Sequence, residues 1–250
     1  LRYMERVRLT ENYEETLPKA GKLKSGIKGL DKIIGGGIPK GDLLLLTGTA
    51  GTGKTNLCMQ YIYEGVTKHK QNGVYLSFEE LPESIRRNAL LFGWDFRPLE
   101  KAKKFSFIKY DPYHVEDVFD ILEAAIRDNK AERVVVDSIS ALGLYVRDKA
   151  ELRRMIFNLS ITLKKLNCTS ILVSEIVHGS PGLSRYGVEE FVADSVIVLY
   201  YERMNGSFTR AVQVWKVRGS PHSEKLHPYK ITKNGFVIYP EEEAFIKTKR

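Results

Sequence analysis

The run Gly48-Thr49-Ala50-Gly51-Thr52-Gly53-Lys54-Thr55 constrains this chain more than any other, because it fills the pattern G-x-x-x-x-G-K-[ST] at every position. Glycines at these places let successive backbone N–H groups turn inward around phosphates, and the positive end of a following helix adds to the attraction. At average composition the pattern arises by chance in roughly one chain in a hundred of this length. Here it also has the required flanks. Leu43–Leu46 is a short apolar run ahead of it, and a helical stretch follows from Lys54 to about His69. The spacing therefore predicts a strand, a phosphate-cradling loop and a helix. ATP or ADP is the expected ligand, with Lys54 on the β- and γ-phosphates and the Thr55 hydroxyl on Mg²⁺.

The rest of the chain has the rhythm this loop needs. Gly73–Phe78, Phe105–Tyr110, Val134–Val136 and Ser170–Ile176 are short apolar runs that predict strands. Between them, Leu81–Trp94 is helical. Val118, Phe119, Leu122 and Ile126, and then Leu152, Ile156, Leu159 and Leu163, recur at helical spacing. Buried strands alternating with amphipathic helices predict an α/β fold, a mostly parallel sheet with helices on both faces. After residue 190 the pattern changes. Asn205-Gly206 and Asn234-Gly235 each separate two strand-like segments, so antiparallel hairpins are expected to finish the chain. Residues 1–22 are polar and aperiodic and read as an arm; 23–250 reads as one domain, with no linker or internal repeat.

Two acidic positions complete the expected site. Asp137 ends the strand Arg133–Val136, as a Walker B carboxylate does, and ligands of open parallel sheets lie beyond the C-terminal strand ends. It is expected to hold Mg²⁺ through a water; the alternative is a helix-capping Asp. Glu79 and Glu80 follow another strand in the same way. One of them, Glu80 or Glu79, is the candidate base that orients the attacking water, unless they cap the helix near Pro82.

Composition excludes several classes. No apolar run approaches the length of a membrane span, so no membrane role is expected. Only two cysteines are present, Cys58 and Cys168, in apolar surroundings and with no zinc-type pattern. Reduced thiols and a cytoplasmic location are expected. The formal charge of +8 suits a phosphate-rich ligand or nucleic acid, but the basic residues are spread along the chain.

Gly48–Thr55, Ser77-Phe78-Glu79-Glu80 and Val135-Val136-Asp137-Ser138 resemble the motifs of the RecA superfamily of P-loop ATPases. Three further stretches are similar to its KaiC branch: Gly26–Asp31 with Gly35–Pro39, Arg185–Val192, and Lys216-Val217-Arg218-Gly219-Ser220-Pro221-His222. The likeness runs from about Leu23 to Tyr239 and is nearest the single-domain archaeal type. It implies a RecA-like core, Mg²⁺-dependent ATP hydrolysis and a homo-oligomer, a hexameric ring with ATP between neighbours. It also implies that Lys216 and Arg218 of one subunit reach the γ-phosphate held by the next, where the bland alternative is two solvated cations on an edge strand. The same likeness sets Glu189, Glu190 and His222 near the subunit interface, where a place on a helix surface explains the two glutamates equally well, and Ser174-Glu175 at a phosphate-sensing position. The chain has one such domain and no counterpart of the regulatory tail of clock proteins, so autokinase activity is not expected.

Three functions remain open on this sequence: an ATPase motor or timer, a ring that switches protein partners with its nucleotide, and a RecA- or RadA-like single-stranded DNA-binding protein. Nucleic acid is the less favoured partner, because 177–187, where recombinases carry a DNA-binding loop, has Arg185 as its one Lys or Arg.

Overall fold

A computed structural model of the chain describes residues 21–111, 115–146, 148–204 and 206–245. Almost all of the expected arm, together with His114 and Asn205, lies outside these residues. In chain order the elements are β1 (Lys22–Leu23), α1 (Leu30–Ile33), β2 (Ile38–Pro39), β3 (Leu43–Gly48), α2 (Lys54–Lys68), β4 (Gly73–Ser77), α3 (Pro82–Leu90), α4 (Arg97–Lys101) and β5 (Phe105–Lys109). They continue with α5 (Val115–Asn129), β6 (Arg133–Asp137), α6 (Ile139–Leu142), α7 (Lys149–Lys165), β7 (Thr169–Glu175), α8 (Glu189–Val192), β8 (Ser195–Met204), β9 (Ser207–Val217), β10 (Leu226–Thr232) and β11 (Gly235–Ile238).

The main sheet has the strand order β11-β10-β9-β8-β3-β7-β6-β4-β5, and β1 pairs with β2 in a separate ribbon. From β8 to β5 every pair is parallel, whereas β8–β9, β9–β10 and β10–β11 are antiparallel. This is the expected mostly parallel sheet closed by hairpins. Strand β8 is the joint between the two regimes, parallel to β3 on one side and antiparallel to β9 on the other.

Because side chains alternate across a strand, β3 feeds both faces. Leu44 and Leu46 pack with Leu57, Tyr61 and Ile62 of α2, and Leu43 and Leu45 pack with the side of α5 and α7. All four leucines are buried, which is why the run carries no polar alternation. Complete burial of each contributes roughly 1.5–3 kcal/mol.

One buried charge locks the first face. The Arg133 side chain is fully buried at the start of β6, and its guanidinium lies 4.5 Å over the Tyr61 ring. It donates to Gln71 Oε1 and to the carbonyls of Lys24, Ser25 and Tyr61. No carboxylate pairs with it among the described residues, so carbonyl oxygens and the face of the Tyr61 ring offset its desolvation. Gly65 of α2 leaves the room: a Cβ there would stand 2.2 Å from Arg133 Nε.

Candidate functional site

The parallel topology brings four strand ends together. In the order β3-β7-β6-β4, the C-terminal ends carry the Gly48–Thr55 loop, Glu175, Asp137 and Glu79-Glu80. Between them lies a cleft of about 280 Å³, lined by Gly51, Gly53, Lys54, Thr55, Asp137, Glu79, Glu80 and Glu175 among others. Thr49 and Thr52 belong to the same loop but do not line the cleft, whereas Ala50 does.

The loop is held from both sides. Lys54, the first residue of α2, is buried and donates from Nζ to the carbonyls of Gly48 (2.9 Å) and Thr49 (3.0 Å). Burial lowers its pKa, against the opposing charges of Glu175 and Asp137. Gly53 precedes the helix with φ of 90°, a conformation that favours glycine, and its missing Cβ makes room for Ile231. Thr52 Oγ1 closes the turn by donating to the Thr49 carbonyl at 2.8 Å.

The C-terminal hairpins brace this loop through residues outside its motif. Tyr229 donates its hydroxyl to the Thr52 carbonyl at 2.6 Å. Arg210 donates to the Gly51 carbonyl at 3.2 Å and stacks 4.1 Å over the Tyr201 ring.

Asp137 is partly buried at the end of β6. Its Oδ2 accepts from the Tyr75 hydroxyl at 2.6 Å and from Thr55 Oγ1 at 3.1 Å. Burial raises its pKa, and those two hydrogen bonds oppose the rise. The alternative that Asp137 caps a helix is not seen: α6 has Ser138 as its N-cap, with no side-chain capping bond. Tyr75 is also missing from the sequence reading, although a tyrosine in an otherwise apolar buried strand needs a partner for its hydroxyl.

Glu79 and Glu80 do not cap α3 either, whose N-cap is Leu81 without a side-chain bond. Glu79 accepts from Ser138 Oγ at 3.2 Å. Burial raises both glutamate pKa values; next come the Glu175 charge for Glu79 and the Asp137 charge for Glu80. The lining residues thus carry four carboxylates against the single ammonium of Lys54. Among the described residues no three His, Cys, Asp or Glu side chains form a ready metal cage. The donor set instead fits a Mg²⁺ ion shared with phosphate oxygens, with Thr55 and Asp137 as the protein's contribution.

Lys216 and Arg218 stand elsewhere. Lys216 pairs with Val196 of β8, which pairs with Leu45 of β3, three residues before Gly48. That is roughly 10 Å down the strands and about 10 Å across them from the loop. Both side chains turn to α8, Lys216 Nζ to the Glu190 carbonyl (2.7 Å) and Arg218 to the Phe191 carbonyl (3.1 Å). The shared direction expected of them is present, although β9 ends at Val217 and a bulge lies beside Lys216.

The weaker sequence candidates divide. Glu189 is not a surface glutamate: it is fully buried and accepts from Ser174 Oγ (2.9 Å), Ser184 Oγ (2.7 Å) and the Val188 N–H (3.0 Å). Ser174 is thereby committed to Glu189, while Glu175 reaches the cleft and lies 3.7 Å from Arg185. His222 approaches the Ser223 carbonyl, outside the cleft. His227 is buried between Ser223 Oγ and the Glu242 carbonyl, a structural position.

The family model described as the KaiC ATPase matches residues 23–243. The chain belongs to the KaiC family of ATPases. Among its KaiC-type relatives, a UPF0273 protein of Methanocaldococcus jannaschii is 37% identical over 238 residues, 88% of this chain and 97% of that protein. The circadian clock oscillator protein KaiC of Parathermosynechococcus lividus is 36% identical over 229 residues, 88% of this chain and 42% of that protein. The crystal structure of a KaiC-like protein from Pyrococcus horikoshii superposes with a TM-score of 0.81 at 36% identity, covering 88% of this chain and 100% of that one. The chain is therefore a nucleotide-binding P-loop ATPase with a KaiC-type RecA fold. No helix among the described residues is long and apolar enough to cross a membrane.

Proposed function

We propose that this KaiC-type ATPase hydrolyses Mg·ATP at interfaces between identical subunits of a ring, and that the ring has a regulatory or timing role. The observation that carries this reading is the separation of two half-sites. The cleft holds one ammonium among its lining residues, Lys54, and the next conspicuous pair of cations, Lys216 and Arg218, sits toward the other end of the strands. A surface that must meet a different surface on an identical copy makes a head-to-tail contact, and such contacts give a ring when the rotation between neighbours closes and an open filament when it does not. Six subunits is the number the family resemblance suggests.

In this reading the Gly48–Thr55 loop binds the phosphates through its N–H groups and Lys54. Thr55 and Asp137 would hold Mg²⁺, which would supply neutralisation of phosphate charge. Tyr75 fixes the Asp137 carboxylate, and Ser138 fixes Glu79. Glu80 or Glu79 orients a water toward the γ-phosphorus and accepts its proton, a role helped by a raised pKa. Water oxygen bonds to phosphorus as the bond to the β-bridging oxygen breaks, releasing phosphate and ADP. The neighbour's Lys216 and Arg218 neutralise charge on the transferring group. Their present partners are backbone carbonyls and the Asp194 carboxylate, 3.5 Å from Arg218.

The test is phosphate release per subunit, with and without Mg²⁺, across a wide range of protein concentration, alongside mass measurement. Activity per subunit that rises with assembly supports the reading. A monomer that hydrolyses ATP at full rate would overturn the interface assignment. The single-stranded DNA reading gains nothing at 177–187, where Arg185 lies beside Glu175 and 6.0 Å from the Tyr186 ring centre.

A further inference from the structure

The end of the sheet opposite the cleft repeats one local structure. Helices α2, α4, α5 and α7 each stop just before a strand, and just beyond each stop one residue takes the left-handed conformation: Lys70 (φ 56°), Lys103 (φ 53°), Lys130 (φ 50°) and Asn167 (φ 56°). The next N–H then reaches back to a helix carbonyl, as in Lys104 to Leu99 (2.9 Å), Ala131 to Ile126 (2.9 Å) and Cys168 to Leu163 (2.9 Å). This is the Schellman stop, in which glycine is the usual residue and asparagine the next. A lysine there carries a steric cost, because its Cβ crowds the following carbonyl oxygen. Three of these four turns bear that cost, and all three project an ammonium from the same end of the sheet.

The sheet sets these charges in a row. Strands β3, β7, β6, β4 and β5 are consecutive neighbours, and Lys40, Asn167, Lys130, Lys70 and Lys103 stand two or three residues ahead of their respective first residues. Four inter-strand steps span roughly 19 Å. Lys40, Lys70, Lys103, Lys104 and Lys130 are exposed and make no ion pair or side-chain hydrogen bond among the described residues. The arginine nearby, Arg127, is engaged by Glu123 at 2.6 Å, and the exposed acids on the same turns are Asp128 and Glu132. Between Lys40 and Lys130 opens a cavity of about 450 Å³.

We propose that this row of lysines binds the phosphate backbone of double-stranded nucleic acid, without reading its sequence. The row matches the rise of about six base pairs at 3.4 Å each. Unpaired ammonium groups are point charges suited to phosphates, and the row offers no free guanidinium fork for base edges. Stacking platforms for unpaired bases are absent too. The exposed aromatic residues among the described ones, Tyr145, Phe157, Phe191, Phe208, Trp215 and Phe245, are none of them on the turns that carry the row; Phe157 stands mid-way along α7 and the others lie on other segments. The same lack of exposed aromatic anchors disfavours a membrane surface. This face is distinct from the ATP cleft.

The geometry supplies an unusually clean variant. Glycine is the preferred residue at the three left-handed positions, so Lys70→Gly/Lys103→Gly/Lys130→Gly removes three charges while relieving strain. The experiment is fluorescence anisotropy of a labelled 24-base-pair DNA duplex of mixed sequence with the full chain, from 50 to 300 mM KCl. The wild-type protein binds, and its affinity falls steeply with salt. The glycine variant binds at least tenfold more weakly at 100 mM, with the log–log salt slope smaller by about 2–3, at an unchanged or higher Tm. Lys70→Arg/Lys103→Arg/Lys130→Arg retains binding. Equal affinity and slope in the wild type and the glycine variant would overturn the proposal, as would no duplex binding at 50 mM. Binding to phosphatidylserine vesicles with none to the duplex would assign the face to lipid instead.

Discussion

Lys54 and Lys216 lie toward opposite ends of one sheet, Lys54 Nζ on the carbonyls that open the phosphate loop and Lys216 Nζ on the Glu190 carbonyl of α8. The helix that starts at Lys54 covers one face of the sheet, and α8 packs against α7 on the other. Two cations so placed cannot act on one phosphate within a subunit. The proposed interface chemistry rests on that separation.

Neutralising the cleft carboxylates separates binding from hydrolysis. Glu79→Gln/Glu80→Gln should bind ATP with little change and hydrolyse it at least ~100-fold more slowly, as filter binding and phosphate release would measure. Unchanged turnover would remove both glutamates from the mechanism.

The same variant should also be more stable at neutral pH. Burial raises both pKa values above the ordinary 4.5, so the folded state holds these protons more tightly than the unfolded chain. Ionisation at neutral pH therefore disfavours the folded state, and that penalty vanishes as pH falls below the unfolded value. Thermal melts should show a higher Tm for the glutamine variant at pH 7–8 and converging Tm values near pH 4.

Tyr75→Phe removes the 2.6 Å bond to Asp137 without touching a phosphate. A partner that orients a metal ligand is typically worth 10- to 100-fold in metal affinity. The Mg²⁺ concentration for half-maximal hydrolysis should rise by about tenfold, with turnover recovering at high Mg²⁺. An unchanged Mg²⁺ dependence would separate Tyr75 from the metal.

Arg133 and Gly65 test the frame beneath the site. Arg133→Met strands the four acceptors it now serves and should cost about 3 kcal/mol or more, read by urea denaturation. Gly65→Ala drives a methyl group against the guanidinium and should cost about 1–3 kcal/mol. Near-wild-type stability in both would mean the cluster is soft.

What the sequence disclosed follows from how local each signal is. The Gly48–Thr55 loop, Asp137 and the glutamate pair are contiguous motifs at strand ends, and a parallel sheet must gather such ends into one cleft. The alternation of apolar runs and helix stripes foretold the strand–helix order in the same way. Tyr75, Arg210 and Tyr229 were missed because their roles depend on partners 62 to 177 positions away, two of them backbone carbonyls, which no spacing rule records. Glu189 looked like a surface glutamate beside Glu190 because its burial is set by the 174–188 segment folding over it. The lysine row was invisible for a related reason: its members are scattered from 40 to 130 and meet only because β6 and β7 insert between β3 and β4.

The central claim is that each ATP is hydrolysed with cations from the next subunit, and complementation between two dead variants tests it most directly. Lys54→Ala lacks the phosphate-binding ammonium; Lys216→Ala/Arg218→Ala lacks the donated cations. Each alone should hydrolyse ATP at least ~100-fold more slowly than wild type. Co-assembled in equal amounts, they should recover roughly a quarter of wild-type activity per subunit, because random mixing in a head-to-tail ring rebuilds one interface in four. A mixed assembly no more active than its two components would contradict the account.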